Sequence, residues 1–343
     1  MSVKRKIKLS FIFFLVALVG WISLNFNLVR YLVSQGAHQL QIIYLSKPVI
    51  EIMNDTAVSE GLKLKLRFID SVRIFARHEL GLSDTKNYTT FYDQKGKPVL
   101  WNLYACKPYS FEEKIWNFPL IGSFPYKGFF DYDLLEKEKK ELEKDGYETW
   151  ISEVAGWSTL GWFKDPILSS MLEDSEGEIA NTIIHELTHA TLFIPDSTEK
   201  NENMATFVGD KGAEMFLSKK YGSQSLQLLN YKDEKSDRKK YVEHLLRGCR
   251  LLDSLYSSSF QYNLPVSLIL VRKDSMINEI KETMDTISFR KIKFAHFKKK
   301  KINNAFFMIY KNYHSKQSGL EEVLERVFGG DLRRMIDFSV GRK

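Results

Sequence analysis

Cysteine is nearly missing from this sequence, with Cys106 and Cys249 the two present in 343 residues. That scarcity excludes a disulfide framework and a cysteine metal cluster. Two free buried thiols are expected; a single bridge between them is an option outside the cytoplasm if their Cα atoms approach within about 7 Å. No internal repeat, glycine-rich phosphate loop or Gly-x-Ser-x-Gly elbow occurs, which argues against nucleotide-dependent chemistry and against a serine hydrolase. Net positive charge is also small in the body of the chain. The net charge is +7, but Lys4, Arg5, Lys6 and Lys8 account for four of those charges. A remainder of +3 is no nucleic-acid footprint, and the lysine run at 298–301 reads as a solvated stretch open to an anionic surface.

What is present is enough apolar material for a sizeable core, 44% of the residues, in one large domain or two modest ones. It begins with a run from Phe11 to Ile22 that continues to Val29 with Ser23, Asn25 and Asn27 as its polar residues. A signal peptide and a membrane anchor compete for this segment. The anchor is favoured, because no small-x-small cleavage site follows closely. Residues 1–30 are therefore read as a basic N-terminus and transmembrane helix, and residues 31–343 as the functional domain. The leading positive charges would stay in the cytoplasm and place that domain outside the inner membrane, with secretion after cleavage as the alternative.

Helical stripes (Leu40, Ile43 and Leu45, then Leu62, Leu66, Ile69, Val72 and Phe75) fill the stretch from Tyr31 to Leu82. Aromatic and β-branched residues between Tyr88 and Phe130 predict a small sheet. A charged helix over 131–146 and a strand from Tyr147 to Val154 follow. Beyond Gly222 the chain reads as helices to its end, with His244 on one of them as a structural histidine, as His78 is upstream. The class is α+β, mostly helical.

The centre of the chain is the stretch from Asp174 to Ile194, containing His185-Glu186-Leu187-Thr188-His189. Ile179, Ile183, Leu187 and Ala190 recur at helical spacing, Asp174 or Ser175 can cap the start, and Pro195 prevents continuation, so the motif is expected mid-helix. Residues four apart lie one turn above each other, which lets two imidazoles point at one place. A hydrolytic Zn²⁺ takes three protein ligands and keeps one position open, and Glu186 is placed as the base beside it. For the third ligand the next residues offer Asp196, Glu199, Glu202, Asp210 and Glu214. Asp196 and Glu199 read as a capping box that starts a second helix. Glu202 has no such explanation, and antiparallel packing brings it level with His189, at about 1.5 Å of rise per residue. One zinc ion on His185, His189 and Glu202 is the expected cofactor.

The run from Ala155 to Ser170, the segment Ile184–Ala190 and Asn201-Glu-Asn-Met-Ala-Thr together resemble a bacterial family of predicted zinc aminopeptidases. That family pairs His-Glu-x-x-His with a downstream Asn-Glu-x-x-Ala and is similar in ligand plan to thermolysin-like zincins. The resemblance spans roughly residues 31–220 and continues more weakly to the C-terminus. It departs at Lys200, where the family has an aromatic, and at Ala190, where it has glutamine. It implies a zincin-like fold, a peptide substrate and aminopeptidase activity, with an endopeptidase or an inactive zinc-stabilised peptide-binding protein as rivals. It also implies a substrate-holding sheet edge leading into Gly156, Trp157, Ser158, Thr159 and Leu160. Asn303-Asn304-Ala305 followed by Tyr313 resembles a C-terminal pattern of the same family, making Tyr313 the candidate transition-state donor, with His314 and Tyr310 behind it. An exopeptidase needs an acid for the substrate's free amine, and Glu153 and Asp165 are the candidates.

Overall fold

The computed structural model describes residues 3–118, 122–154, 164–194, 197–291, 293, 297, 299–314 and 319–342. Helices α1 (Val3–Leu24) and α2 (Phe26–Leu45) follow each other almost without a break. At their junction the Asn25 backbone N–H and its Nδ2 both donate to Trp21 O at 2.9 Å. Within α1, Ile7–Leu24 is long and apolar enough to cross a membrane, and none of it is buried against the rest of the protein. The N-terminal half of α2 rests on the body through Tyr31, which is buried and donates its hydroxyl to Gly128 O at 2.8 Å.

After β1 (Lys47–Pro48) come the short α3 (Val49–Asn54) and α4 (Glu60–His78), capped by Ser59. The stripe expected on α4 faces inward, with Leu66, Ile69, Val72 and Phe75 all buried. In place of one sheet between residues 88 and 130, the described residues form three small ones. β2 (Thr90–Tyr92) joins β1 and the parallel β8 (Ile167–Leu168). β3 (Trp101–Cys106) lies between β6 (Lys127–Phe129) and β7 (Glu148–Glu153). β4 (Trp116–Phe118) and β5 (Gly122–Phe124) form a hairpin. The division has a local cause: Lys95 and Gly96 both adopt left-handed backbone, at φ 52° and 71°, and turn the chain away between β2 and β3. Helix α5 (Tyr132–Lys144), capped by Asp131, covers the second sheet.

A 3-10 turn (Ser169–Glu173) leads from β8 into α6 (Glu176–His189), followed by α7 (Thr198–Tyr221), α8 (Leu226–Gln261), α9 (Val266–Thr283), α10 (Asn304–His314), α11 (Leu320–Phe328) and α12 (Leu332–Ser339). Among the described residues the core is built in sections. The first gathers α4, α6, α7, α11, α12 and the first sheet around residues such as Ile69, Ile183 and Leu217. Another gathers the second half of α8 with α9 and α10. The 36 residues of α8 span both, contributing Leu228 and Tyr231 to the first and Leu252 and Tyr256 to the other. Cys106 and Cys249 are both free and buried, the state expected by default. The protein is mostly helical with small sheets, as expected.

Candidate metal centre

Helix α6 starts where Ser175 accepts the N–H of Glu178, 3.3 Å away, and buries Ile179, Ile183 and Leu187. It does not run on to Pro195. The last helical residue is His189, so the motif occupies the final turns rather than the middle. Threonine explains the early stop. The Thr188 and Thr191 hydroxyls donate back to the carbonyls of Ile184 and Leu187, and the Thr191 N–H tightens onto Thr188 O. Thr191 Oγ1 also accepts the N–H of Ser83, so the turn after Ala190 is tied to a neighbouring segment.

The start of α7 differs from expectation too. Ser197 occupies the N-cap, with no side-chain cap bond, one residue beyond the proposed Asp196–Glu199 box. Asp196 itself and the Glu199 side chain lie outside the described residues. The connection is instead closed by Asn201. Its Oδ1 accepts the Ile194 N–H and its Nδ2 donates to Ile194 O, both at 2.8 Å. One buried amide thus fastens the chain leaving α6 to the first turn of α7, one residue before Glu202. Asn201 was visible in the sequence only as part of the Asn-Glu-x-x-Ala pattern; its donor-and-acceptor clamp was not read there.

Small residues set the distance between α6 and α7. A Cβ on Gly209 would stand 2.5 Å from Asn181 Oδ1, 3.1 Å from Asn181 O and 3.1 Å from His185 Cβ. Asn181 has little freedom to retreat, because its Nδ2 already donates to Asp210 Oδ1 and Tyr231 OH at 2.9 Å each. Gly209 lies two turns after Glu202 and touches the helix that carries His185, so the bare backbone there lets the carboxylate reach the imidazoles. Alanine is the better helix former by about 1 kcal/mol, whereas overpacking costs about 1–3 kcal/mol. Gly209→Ala is therefore expected to lower the melting temperature and weaken metal retention. A melting temperature that rises would show that the two helices do not press together at this point.

His185 Nε2 and His189 Nε2 are 3.1 Å apart, Glu202 Oε2 is 3.6 Å from the first and Glu202 Oε1 is 3.5 Å from the second. Among the described residues this is the group of ligand atoms close enough together to hold a metal ion. The carboxyl of Glu202 sits at about 2. Burial pushes it upward, but hydrogen bonds from both imidazoles outweigh that. For His189 burial disfavours the charged ring, yet the hydrogen bond and charge of Glu202 win and its pKa is raised. Glu186 has the opposite balance. Burial raises its carboxyl against the pull of His185 and His189, and Glu202 and Asp165 push the same way as burial. Its Oε2 is enclosed and has no hydrogen-bond partner among the described residues.

Tyr88 is a neighbour that sequence reading passed over. It is buried, holds a left-handed φ of 59° without being glycine, and donates its N–H to Asp165 O at 2.7 Å. Burial, then Glu186 and Asp165, raise its phenol pKa. Of the two acids considered for the substrate amine, Asp165 is thus fully enclosed near Glu186, while Glu153 lines a cavity of about 380 Å³ at the end of β7 with Lys97 and Glu173. The proposed substrate segment, Gly156 to Leu160, lies outside the described residues, as do the side chains of Tyr313 and His314. Tyr310 packs edge-on against Tyr241 at 5.7 Å and joins the core around Phe306. His244 is buried, with Nε2 2.8 Å from Ile280 O, in keeping with a structural role.

Residues 30–339 match a family model described as putative aminopeptidase. The searches of curated proteins and of solved structures found no match.

Proposed function

We propose, starting from the fact that this chain belongs to the putative aminopeptidase family, that it hydrolyses peptide bonds with one zinc ion held by His185, His189 and Glu202 and with Glu186 as general base. The observation that carries this reading is the spacing of the donors. Four-coordinate zinc with ligands at about 2.0–2.1 Å separates those ligands by about 3.3 Å, and the distances here are 3.1, 3.5 and 3.6 Å. Two imidazoles and one carboxylate are the donor set of an open, hydrolytic site, and the Glu186 oxygen beside them, without a hydrogen-bond partner among the described residues, suits a base. The fold is then zincin-like in plan, with α6 and α7 as its metal helices.

A bound zinc ion supplies Lewis acidity, acidifying a water and polarising the scissile carbonyl. The chain does the rest. Glu186 takes the proton of the attacking water at its carboxylate and delivers it to the nitrogen of the departing amine. The enclosed position that raises its pKa brings acceptance and donation of that proton closer in energy near neutral pH. Asn201 and Gly209 hold Glu202 and His185 at fixed separation, so the ligands are preorganised before substrate arrives. Tyr313 remains the proposed donor to the carbonyl oxygen, and the segment from Gly156 to Leu160 the proposed substrate contact. We read α1 as a membrane anchor, and its basic N-terminus keeps the peptidase body on the extracytoplasmic side.

The test is a pair of substrate sets. Aminoacyl amides and short peptides with free amino termini are expected to be cleaved, with activity lost to a chelator and restored by zinc. Cleavage confined to peptides with blocked amino termini would make the protein an endopeptidase and leave the metal chemistry standing.

A further inference from the structure

The α8–α9 hairpin ends in an apolar tip that the peptidase reading does not use. Phe260, Tyr262, Val266 and Val271 are 59%, 70%, 53% and 66% exposed, large values for side chains of this kind clustered in a dozen residues. The tip is nevertheless rigidly made. Tyr262 N–H donates to Ser258 O at 3.0 Å, Leu264 N–H to Ser259 O at 3.0 Å, and Asn263 takes the left-handed turn at φ 49°. Beneath it Leu264 packs against the core that holds Tyr256 and Ile269. A stiff turn presenting two aromatics and flanking valines outward matches the composition of an interfacial membrane contact, where rings with one polar end sit at headgroup level.

The fold says which way this tip points. Helix α2 has its C-terminal end at the first core, because the chain passes directly into β1, which pairs with β2, and into Ile52. Its N-terminal end, about 30 Å away for twenty residues, carries α1. Helix α8 is arranged likewise. Leu228 and Tyr231 at its start belong to that same first core, and its 36 residues run to Gln261 at the tip. The second sheet relates the two far ends. His38 stacks on Phe130 and Tyr31 bonds to Gly128, so α2 proceeds toward its N-terminus as β6 runs back from Phe129 to Lys127. β6 is antiparallel to β3, and that direction is the Cys106 end of β3. Beyond Cys106, Phe111 packs on Tyr256 and Pro108 O accepts from Lys273, which puts the α8–α9 hairpin at the end from which α1 leaves.

We propose that the tip formed by Phe260, Tyr262 and Val266 is a second membrane contact, seated in the interfacial layer of the bilayer that α1 crosses. This rests on the reading of α1 as an anchor. With α1 as one point of attachment and the tip as another, the body cannot swing freely, and the metal helices are held at the far end of α2 and α8.

The test uses the full chain in liposomes whose lipids carry nitroxide quenchers on the upper part of the acyl chain. Single cysteines are introduced as Tyr262→Cys, Val16→Cys and Phe338→Cys and labelled with an environment-sensitive fluorophore at neutral pH. Cys106 and Cys249 do not interfere, being buried with thiols pushed up to about 12 by that burial. The label at 262 is expected to lose most of its fluorescence, as the label at 16 does, while the label at 338, on an equally exposed site of the first core, is unaffected. Quenching at 16 with none at 262 would overturn the second contact and leave the anchor. Absence of quenching at 16 would overturn both. Should Tyr262→Cys fail to fold, Val266→Cys carries the same expectation.

Discussion

Glu186→Gln is expected to leave zinc bound and the fold intact while lowering kcat by about 10²–10⁴-fold, the range that a positioned general base contributes. Glutamine keeps the shape of glutamate and one accepting oxygen but cannot accept the proton of a water. The position makes the substitution unusually clean. Oε2 of Glu186 is enclosed without a partner among the described residues, so no hydrogen bond to any of them is forfeited there. Burial already disfavours the charged carboxylate, and a neutral amide removes that burden. Thermal stability is therefore expected to be unchanged or higher, which separates a chemical loss from a folding loss. Measured together, kcat, zinc content and melting temperature decide the matter. Equal turnover by variant and wild type would show that the residue is not the base, and equal inertness of both toward a broad peptide library would favour a binding protein.

The second large effect is predicted for Glu202→Ala. Removing the carboxylate leaves two imidazole nitrogens 3.1 Å apart, a pair that holds zinc far more weakly than a three-donor set. Zinc content is expected to fall from about one per chain to near zero at neutral pH, with activity falling alongside it. The helices should survive, because α7 is held by Ala205, Val208, Ala213, Phe216 and Leu217, all buried on its inner side. The metal-free proteins should also part company in acid. The depressed Glu202 carboxyl contributes stability that is present above the ordinary carboxylate range and is lost as the pH falls toward about 2. The alanine variant lacks that contribution at every pH. Undiminished zinc in Glu202→Ala would mean that another residue completes the set.

Local periodicity made some of this legible in the amino-acid sequence and tertiary packing concealed the rest. His185 and His189 converge because one helical turn separates them, a relation any reader of the chain can draw. The inward stripe of α4 follows from the same rule, with Leu66, Ile69, Val72 and Phe75 buried and Leu62 partly buried at its start. The meeting of Glu202 with the pair was legible as a register between two helices. The means by which they meet was not: it lies in the missing side chain of Gly209, and a mid-helix glycine was the signal available. Helix α6 ends sooner than Pro195 suggests because threonine hydroxyls compete for its last carbonyls, an effect that apolar spacing does not register. The single sheet expected before residue 130 divides because two consecutive left-handed residues redirect the chain, and because β2 finds its partners in β1 and in β8, some seventy-five residues further along. Tyr88 escaped notice for a related reason, since nothing in its neighbours along the chain points to Asp165.

Zinc stoichiometry combined with X-ray absorption at the zinc edge tests the central claim most directly. The full chain, purified without chelators, is expected to carry one zinc per molecule, coordinated by two imidazole nitrogens at about 2.0–2.1 Å, carboxylate oxygen and one exchangeable light ligand. A chain that takes up no stoichiometric zinc, or a zinc whose shell lacks the pair of imidazoles, would contradict it.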